Sequence, residues 1–254
     1  MKRVIAGTMA LMATLVAHAD QTDVNAWKRS DLYVTAAVDI DAQGKIQHLE
    51  FLPFKDSNGK DLQPALRSLA EATLAKWEFV PATVNGQAAP AHTFLHGVFE
   101  FREHGRDYDG RVVYVGNGPR TVESPAPTYP SDMVHARIQA QLSMLAMVQP
   151  DGSLTDIQLE SAETTNHYAA ASFVRSAKAA MAGWHAEPET VQGHPVKTWV
   201  RYPIQYDLRE SSNGPRYAPE LARSVDSPAA PKASGSGTEG LALDSPIKMR
   251  PQSP

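Results

Sequence analysis

Residues 168–208 read YAAASFVRSAKAAMAGWHAEPETVQGHPVKTWVRYPIQYDL. Trp184, Pro188 and Gly193 punctuate this stretch, and Ile204, Tyr206 and Leu208 alternate at its end. The same spacing occurs upstream, where Trp77, Pro81, Gly86, Phe99 and Phe101 each stand 107 positions before Trp184, Pro188, Gly193, Tyr206 and Leu208. Five coincidences in one register read as an internal duplication.

Working outward, each copy shows the same succession of patterns. In the second, Leu142, Met144, Ala146 and Val148 alternate as a half-buried strand does, Asp151-Gly152 turns, and Leu154, Ile157 and Leu159 carry a second strand. Residues 168–181 are alanine-rich and helical, with Phe173, Val174, Ala177 and Met181 on one face, and 196–208 form a closing strand. In the first, Val34, Ala36, Val38 and Ile40 alternate, residues 41–44 turn, and 46–52 form the second strand. Leu62, Leu66, Leu69, Leu74 and Trp77 recur at helical spacing, and 94–101 return as a strand. Each copy is therefore a hairpin, a helix and a returning strand.

The remaining segments are expected to play lesser parts. Residues 105–126 are glycine- and proline-punctuated and read as an inter-domain linker with an isolated strand at 111–115, available as an edge strand to either sheet. Residues 210–254 are rich in Ser, Pro, Gly and Ala and read as a disordered tail, since such a composition buries too little to offset its ordering entropy. At the start, Lys2 and Arg3 precede an apolar run over residues 4–17 and the small-residue site Ala17-His18-Ala19. That pattern predicts a signal peptide over 1–19 and a mature chain from Asp20. The run is shorter than the roughly 20 residues a bilayer requires. An uncleaved inner-membrane anchor over 4–17 is the alternative, and no later segment is apolar enough to span.

Composition narrows the chemistry. The 254 residues carry a formal charge of −4 and no cysteine. The charge argues against nucleic acid, which asks for a basic stripe, and the missing thiol removes disulfides, thiolate metal sites and cysteine catalysis. Asp39, Asp41, Gln43, Gly44, Ile46 and Glu50 imitate a calcium loop, but that loop needs helical flanks and these alternate with period two. His92 and His96 lie too far apart on a strand, roughly 13 Å, to share an ion. We expect no metal, no cofactor and no enzymatic activity, since no glycine-flanked nucleophile turn or paired carboxylate stands out.

The second copy resembles a known family. Pro127-x-Tyr129-Pro130, Asp151-Gly152, the Trp184–Pro188–Gly193 spacing and the ending Pro203-Ile204-x-Tyr206-x-Leu208 are similar to those of the TonB C-terminal domain. The first copy is a weaker match without the Pro-x-Tyr-Pro opening, and Ala140 replaces the family's glycine before the first strand. The resemblance implies an α+β fold of two small domains, 20–104 and 127–209, each a three-stranded antiparallel sheet with helices packed on one face. It also implies a periplasmic protein partner, an extended segment of an outer-membrane receptor added as a strand at the closing strand's edge.

Pro203 cannot donate to a ladder, which places the closing strand at or near a sheet edge. The partner-binding residues expected on it are Val200, Arg201, Tyr202, Ile204, Gln205 and Tyr206. Arg201 and Gln205 should face away from the core, and the backbone should carry the contact. The alternative function is an envelope scaffold that binds no receptor.

Overall fold

The computed structural model describes residues 26–53, 61–104, 107–166, 169–208 and 240–250. Strand β1 (Lys28–Ile40) sends Val34, Ala36, Val38 and Ile40 into the core and is followed by β2 (Ile46–Phe51). The turn between them is built by Asp41, whose Oδ1 accepts the amides of Gln43 and Lys45 at 2.8 and 2.9 Å. Helix α1 (Pro64–Leu74) begins with a proline, whose missing N–H is no loss in a first turn, and buries Ala70 and Leu74.

Two short strands, β3 (Phe79–Val80) and β4 (Ala82–Val84), lead to β5 (Gln87–Ala89), and then the long pair β6 (Ala91–His104) and β7 (Asp107–Gly118) follows. Strand β8 (Arg120–Glu123) and the short helix α2 (Ser131–His135) precede the hairpin of β9 (Ala140–Val148) and β10 (Leu154–Thr164). Helix α3 (Ala170–Met181) turns Phe173, Ala177 and Met181 inward. Strands β11 (His185–Glu187), β12 (Thr190–Val191), β13 (His194–Pro195) and β14 (Thr198–Tyr206) complete this half. At the far end of the chain lie β15 (Leu241–Ala242) and β16 (Lys248–Met249).

These elements form an α+β architecture with two main sheets. One has the order β13-β12-β6-β1-β2 with β7 also on β6; the other has the order β10-β9-β14-β15. In both, the returning strand lies antiparallel to the hairpin's first strand, β6 on β1 and β14 on β9. The expected three strands are present in each, and further strands join them.

Two apolar clusters fill the spaces beneath. Trp77, Leu74, Phe79, Leu95 and Phe99 anchor one; Phe173, Met181, Trp184, Tyr202 and Ile204 anchor the other. Fully buried side chains of this size contribute roughly 1.5–3 kcal/mol each.

The repeated Trp–Pro–Gly spacing has a local cause. Trp77 and Trp184 are both 3% exposed, each just past the C-terminus of its helix. The glycines close two-residue hairpins, in which Asn85 and Gly86 (φ 52° and 79°) match Gln192 and Gly193 (φ 52° and 76°). Positive φ at both central residues is the geometry that suits the twist of the flanking strands.

Three expectations about the connecting segments need correction. Residues 105–126 are not merely a linker: β7 pairs with β6 from His104 to Phe94, and β8 pairs with β11. The strand expected at 111–115 is one part of β7, held by a ladder that runs well beyond it. Residues 210–254 are not uniformly a disordered tail: β15 pairs with β14, β16 pairs with β3, and Ile247 is 1% exposed within the first cluster. The physical reason is that Leu241, Leu243, Ile247 and Met249 supply the apolar side chains that the average composition hid. Residues 1–19, assigned to a signal peptide, lie outside the described residues.

The halves also exchange elements. Strand β12 pairs with β6 at Ala91 and His92, so the second half extends the first half's sheet.

Candidate functional site

The closing strand β14 takes its position from contacts with the core beneath it. Its inward residues Val200, Tyr202, Ile204 and Tyr206 are all under 5% exposed. Tyr206 meets Phe173 and Tyr129 at ring distances of 4.7 and 5.5 Å, and donates its hydroxyl to the Phe173 carbonyl. Tyr202 lies edge-on to Trp184 at 5.5 Å, and burial pushes its phenol up to about 12. The opening motif has its place here: Tyr129 reaches over α3 and donates to the Ile138 carbonyl at 2.6 Å.

Of the six residues expected to bind a partner, four are therefore committed to the core by their side chains. Arg201 points the other way and grips Glu160 on β10 through two hydrogen bonds, at 2.6 and 2.5 Å. Gln205 shares that face. What these residues offer in common is the backbone on the side away from β9.

That margin is partly occupied by the chain itself. Val200 faces Ala242 and Arg201 faces Leu241 in antiparallel register. The Leu243 amide donates to the Trp199 carbonyl at 2.8 Å, and the Trp199 amide donates to the Asp244 carboxylate at 2.6 Å. Since Trp199 faces outward, period two turns the backbone groups of Arg201, Pro203 and Gln205 outward as well. Pro203 has no N–H, so beyond the β15 pairing the margin offers one amide donor, at Gln205. Among the described residues no strand pairs with it there.

The segment is fitted closely into its slot. A side chain at Gly116 would come within 2.6 Å of Leu241, and one at Gly118 within 2.5 Å of Ala242. Gly240 lies against Val200 and Tyr202 with no room for a Cβ.

Beside the slot lies a polar junction that the sequence reading missed. Glu189 is fully buried, and its carboxylate accepts from Thr93 on β6 at 2.6 Å, Ser245 at 2.7 Å, Thr198 on β14 at 3.1 Å and Asn117 on β7 at 3.3 Å. Asn117 also donates to Ser245 at 2.8 Å and accepts from Tyr114. All these donors are neutral, and burial raises the carboxyl above its ordinary range. The junction joins both sheets and the segment after β15. Its legible signals were a glutamate inside the Pro188–Gly193 spacing and the Gly116-Asn117-Gly118 triplet.

Residues 125–208 match the profile of the family described as Gram-negative bacterial TonB protein C-terminal. Over these residues the chain is similar to a TonB C-terminal domain. Protein TonB of Escherichia coli (strain K12) is 35% identical over 77 residues, which is 30% of each chain, so this chain spans under a third of that relative. The TonB C-terminal domain of Pseudomonas aeruginosa, solved by solution NMR, is 26% identical, covering 36% of this chain and 88% of that one at a TM-score of 0.29. The matched domain runs from the loop bearing Pro125, which accepts from the Trp184 indole at 3.0 Å, to the end of β14. The TonB family is not one of enzymes.

The decoys of the sequence have other uses. Asp41 serves its turn, which holds its carboxyl below the ordinary range, and Asp39 meets His92 at 2.8 Å. Among the described residues no helix is long and apolar enough to cross a membrane.

Proposed function

We propose that this is a TonB-like protein of the periplasm, exported through a signal peptide over residues 1–19, that binds an extended segment of an outer-membrane receptor. The binding surface is the outer margin of β14, and binding is by strand addition. One observation supports the reading above others: an extended segment, Leu241–Ala242, already lies antiparallel on that margin. The contact there is backbone to backbone, which suits a partner read by shape more than by sequence. On this reading the first half is a duplicated and diverged TonB-like domain.

A test uses the absence of native cysteine. Gln205→Cys places one thiol beside the margin, and Glu163→Cys places one on β10, at the opposite edge of the same sheet. Receptor-derived peptides bearing a single cysteine are expected to form a disulfide with the Gln205→Cys chain only. Equal cross-linking at both positions removes strand addition on β14.

A second reading has its own support. The pairing of β12 on β6, β16 on β3 and β8 on β11 ties the halves together, as an envelope scaffold without a receptor would require. Absence of cross-linking with every receptor peptide favours it.

A further inference from the structure

Residues 240–250 hold their place by two grips of different strength. The later grip is deep: Ile247 is 1% exposed, Ser245 donates to the buried Glu189 carboxylate, and Lys248–Met249 pair with Val80–Phe79. The earlier grip is shorter and nearer the surface: two residues pair with β14, Leu243 and Asp244 each bond to Trp199, Gly240 packs against Val200 and Tyr202, and Leu243 is 42% exposed. This shorter grip covers the margin assigned above to the receptor segment, and one backbone margin admits one strand at a time.

We propose that residues 240–244 are a resident occupant of the peptide margin, which leaves β14 when a partner strand arrives while Ile247 keeps the segment attached to the first sheet. The inference rests on strand addition at β14 and adds its regulation. The resident strand also sets a preference for its competitor. The position replacing Gly240 must lack a Cβ, because Val200 and Tyr202 fill the space, and the one replacing Ala242 must be small, because Gly118 approaches it closely. The incoming strand is thus extended, with glycine two positions before a small residue.

A tethered occupant competes at an effective concentration of about a millimolar. A strand of similar contacts arriving from solution therefore binds the closed chain weakly, and its apparent affinity rises as the occupant is released.

The experiment uses the full chain and a fluorescent synthetic peptide with the sequence of residues 239–245, EGLALDS. Two variants free the margin by different routes: Gly240→Val forces a side chain against Val200, and Leu243→Pro removes the amide that bonds to Trp199 at an exposed position. Hydrogen exchange at the Arg201 amide reports release. The expected result is rapid Arg201 exchange in at least one variant, peptide binding at least tenfold tighter than to the unmodified chain, and restored protection on binding. Equal peptide affinity for variant and unmodified chain overturns the guarding role and leaves the margin as a peptide site. Rapid exchange with no peptide bound overturns both the guarding role and the peptide site. An Arg201 amide that stays protected in both variants makes β15 a permanent strand and overturns the inference.

Discussion

The two main sheets share a plan and differ at one margin. In each, a hairpin's first strand receives a returning strand, and a tryptophan just past the helix closes the core. Strand β6, however, has its outer side paired by β7 from His104 to Phe94 and by β12 at His92 and Ala91. Strand β14 has its outer side paired over Val200 and Arg201. The plan alone does not make a binding site. Among the described residues, the first sheet has closed the corresponding margin with its own chain and the second has covered only part of it, so any strand addition by a returning strand belongs to the second.

The largest effect that can break this comparison comes from the tryptophans. Trp77→Ala and Trp184→Ala should each cost about 3–5 kcal/mol in urea unfolding. Their local consequences should differ. Trp77 leans edge-on against Tyr114 of β7 at 5.4 Å, so its loss should speed amide exchange in β7; Trp184 leans on Tyr202, so its loss should speed exchange in β14. If Trp77→Ala leaves β7 fully protected, the seal on the first sheet does not depend on that core.

Next in size is Ile247→Ala, which should cost about 2–5 kcal/mol because it opens a cavity in the first cluster. A loss under about 0.5 kcal/mol in urea unfolding would show that residues 245–249 decorate the first sheet and do not help to hold it.

The buried carboxyl between the sheets gives a pH test. Glu189 binds its proton more readily folded than unfolded, because burial outweighs the hydroxyls and amide that favour the anion. Its favourable contribution is therefore complete below the ordinary carboxylate pKa and is lost as pH rises through the raised folded value. Glu189→Gln keeps an acceptor for Thr93 and Ser245, and its amide can donate to Thr198. The variant should match the unmodified chain at acid pH and exceed its melting temperature at neutral pH. A constant difference between the two from pH 4 to 8 would remove the linkage.

The sequence revealed elements whose side chains signal to near neighbours and concealed those completed from a distance. Alternation at Leu142, Met144, Ala146 and Val148 located β9, and the Trp–Pro–Gly spacing located the helix ends and both positive-φ hairpins. Tyr114 gave no sign that its ring would meet Trp77 across the core, nor Ile247 that it would enter the first cluster. The candidate site was legible as a strand, with Pro203 marking an edge, because proline's missing N–H is a local property. Its occupant was not: period-two leucines at 241 and 243 are too short a signal inside a Ser- and Pro-rich stretch, and their partner lies some 40 residues away.

The smallest expected effect separates side chain from backbone on β14. Arg201 and Glu160 bond across the outer face of the sheet at one-third exposure each, where such pairs are worth about 0.2–1 kcal/mol. The guanidinium, more than any other group, holds the Glu160 carboxyl below its ordinary range. A depressed carboxyl stabilises above its unfolded pKa and loses that contribution as pH falls through the folded value, so the sign is opposite to that at Glu189. Arg201→Ala should therefore lose under 1 kcal/mol at neutral pH, with the deficit vanishing in acid. Its backbone continues to face Leu241 whatever the side chain does. Binding of the 239–245 peptide to the Leu243→Pro chain should thus be unchanged, within about twofold, when Arg201→Ala is added. A tenfold loss would mean that the outer face of the sheet, and not its margin, recognises the strand.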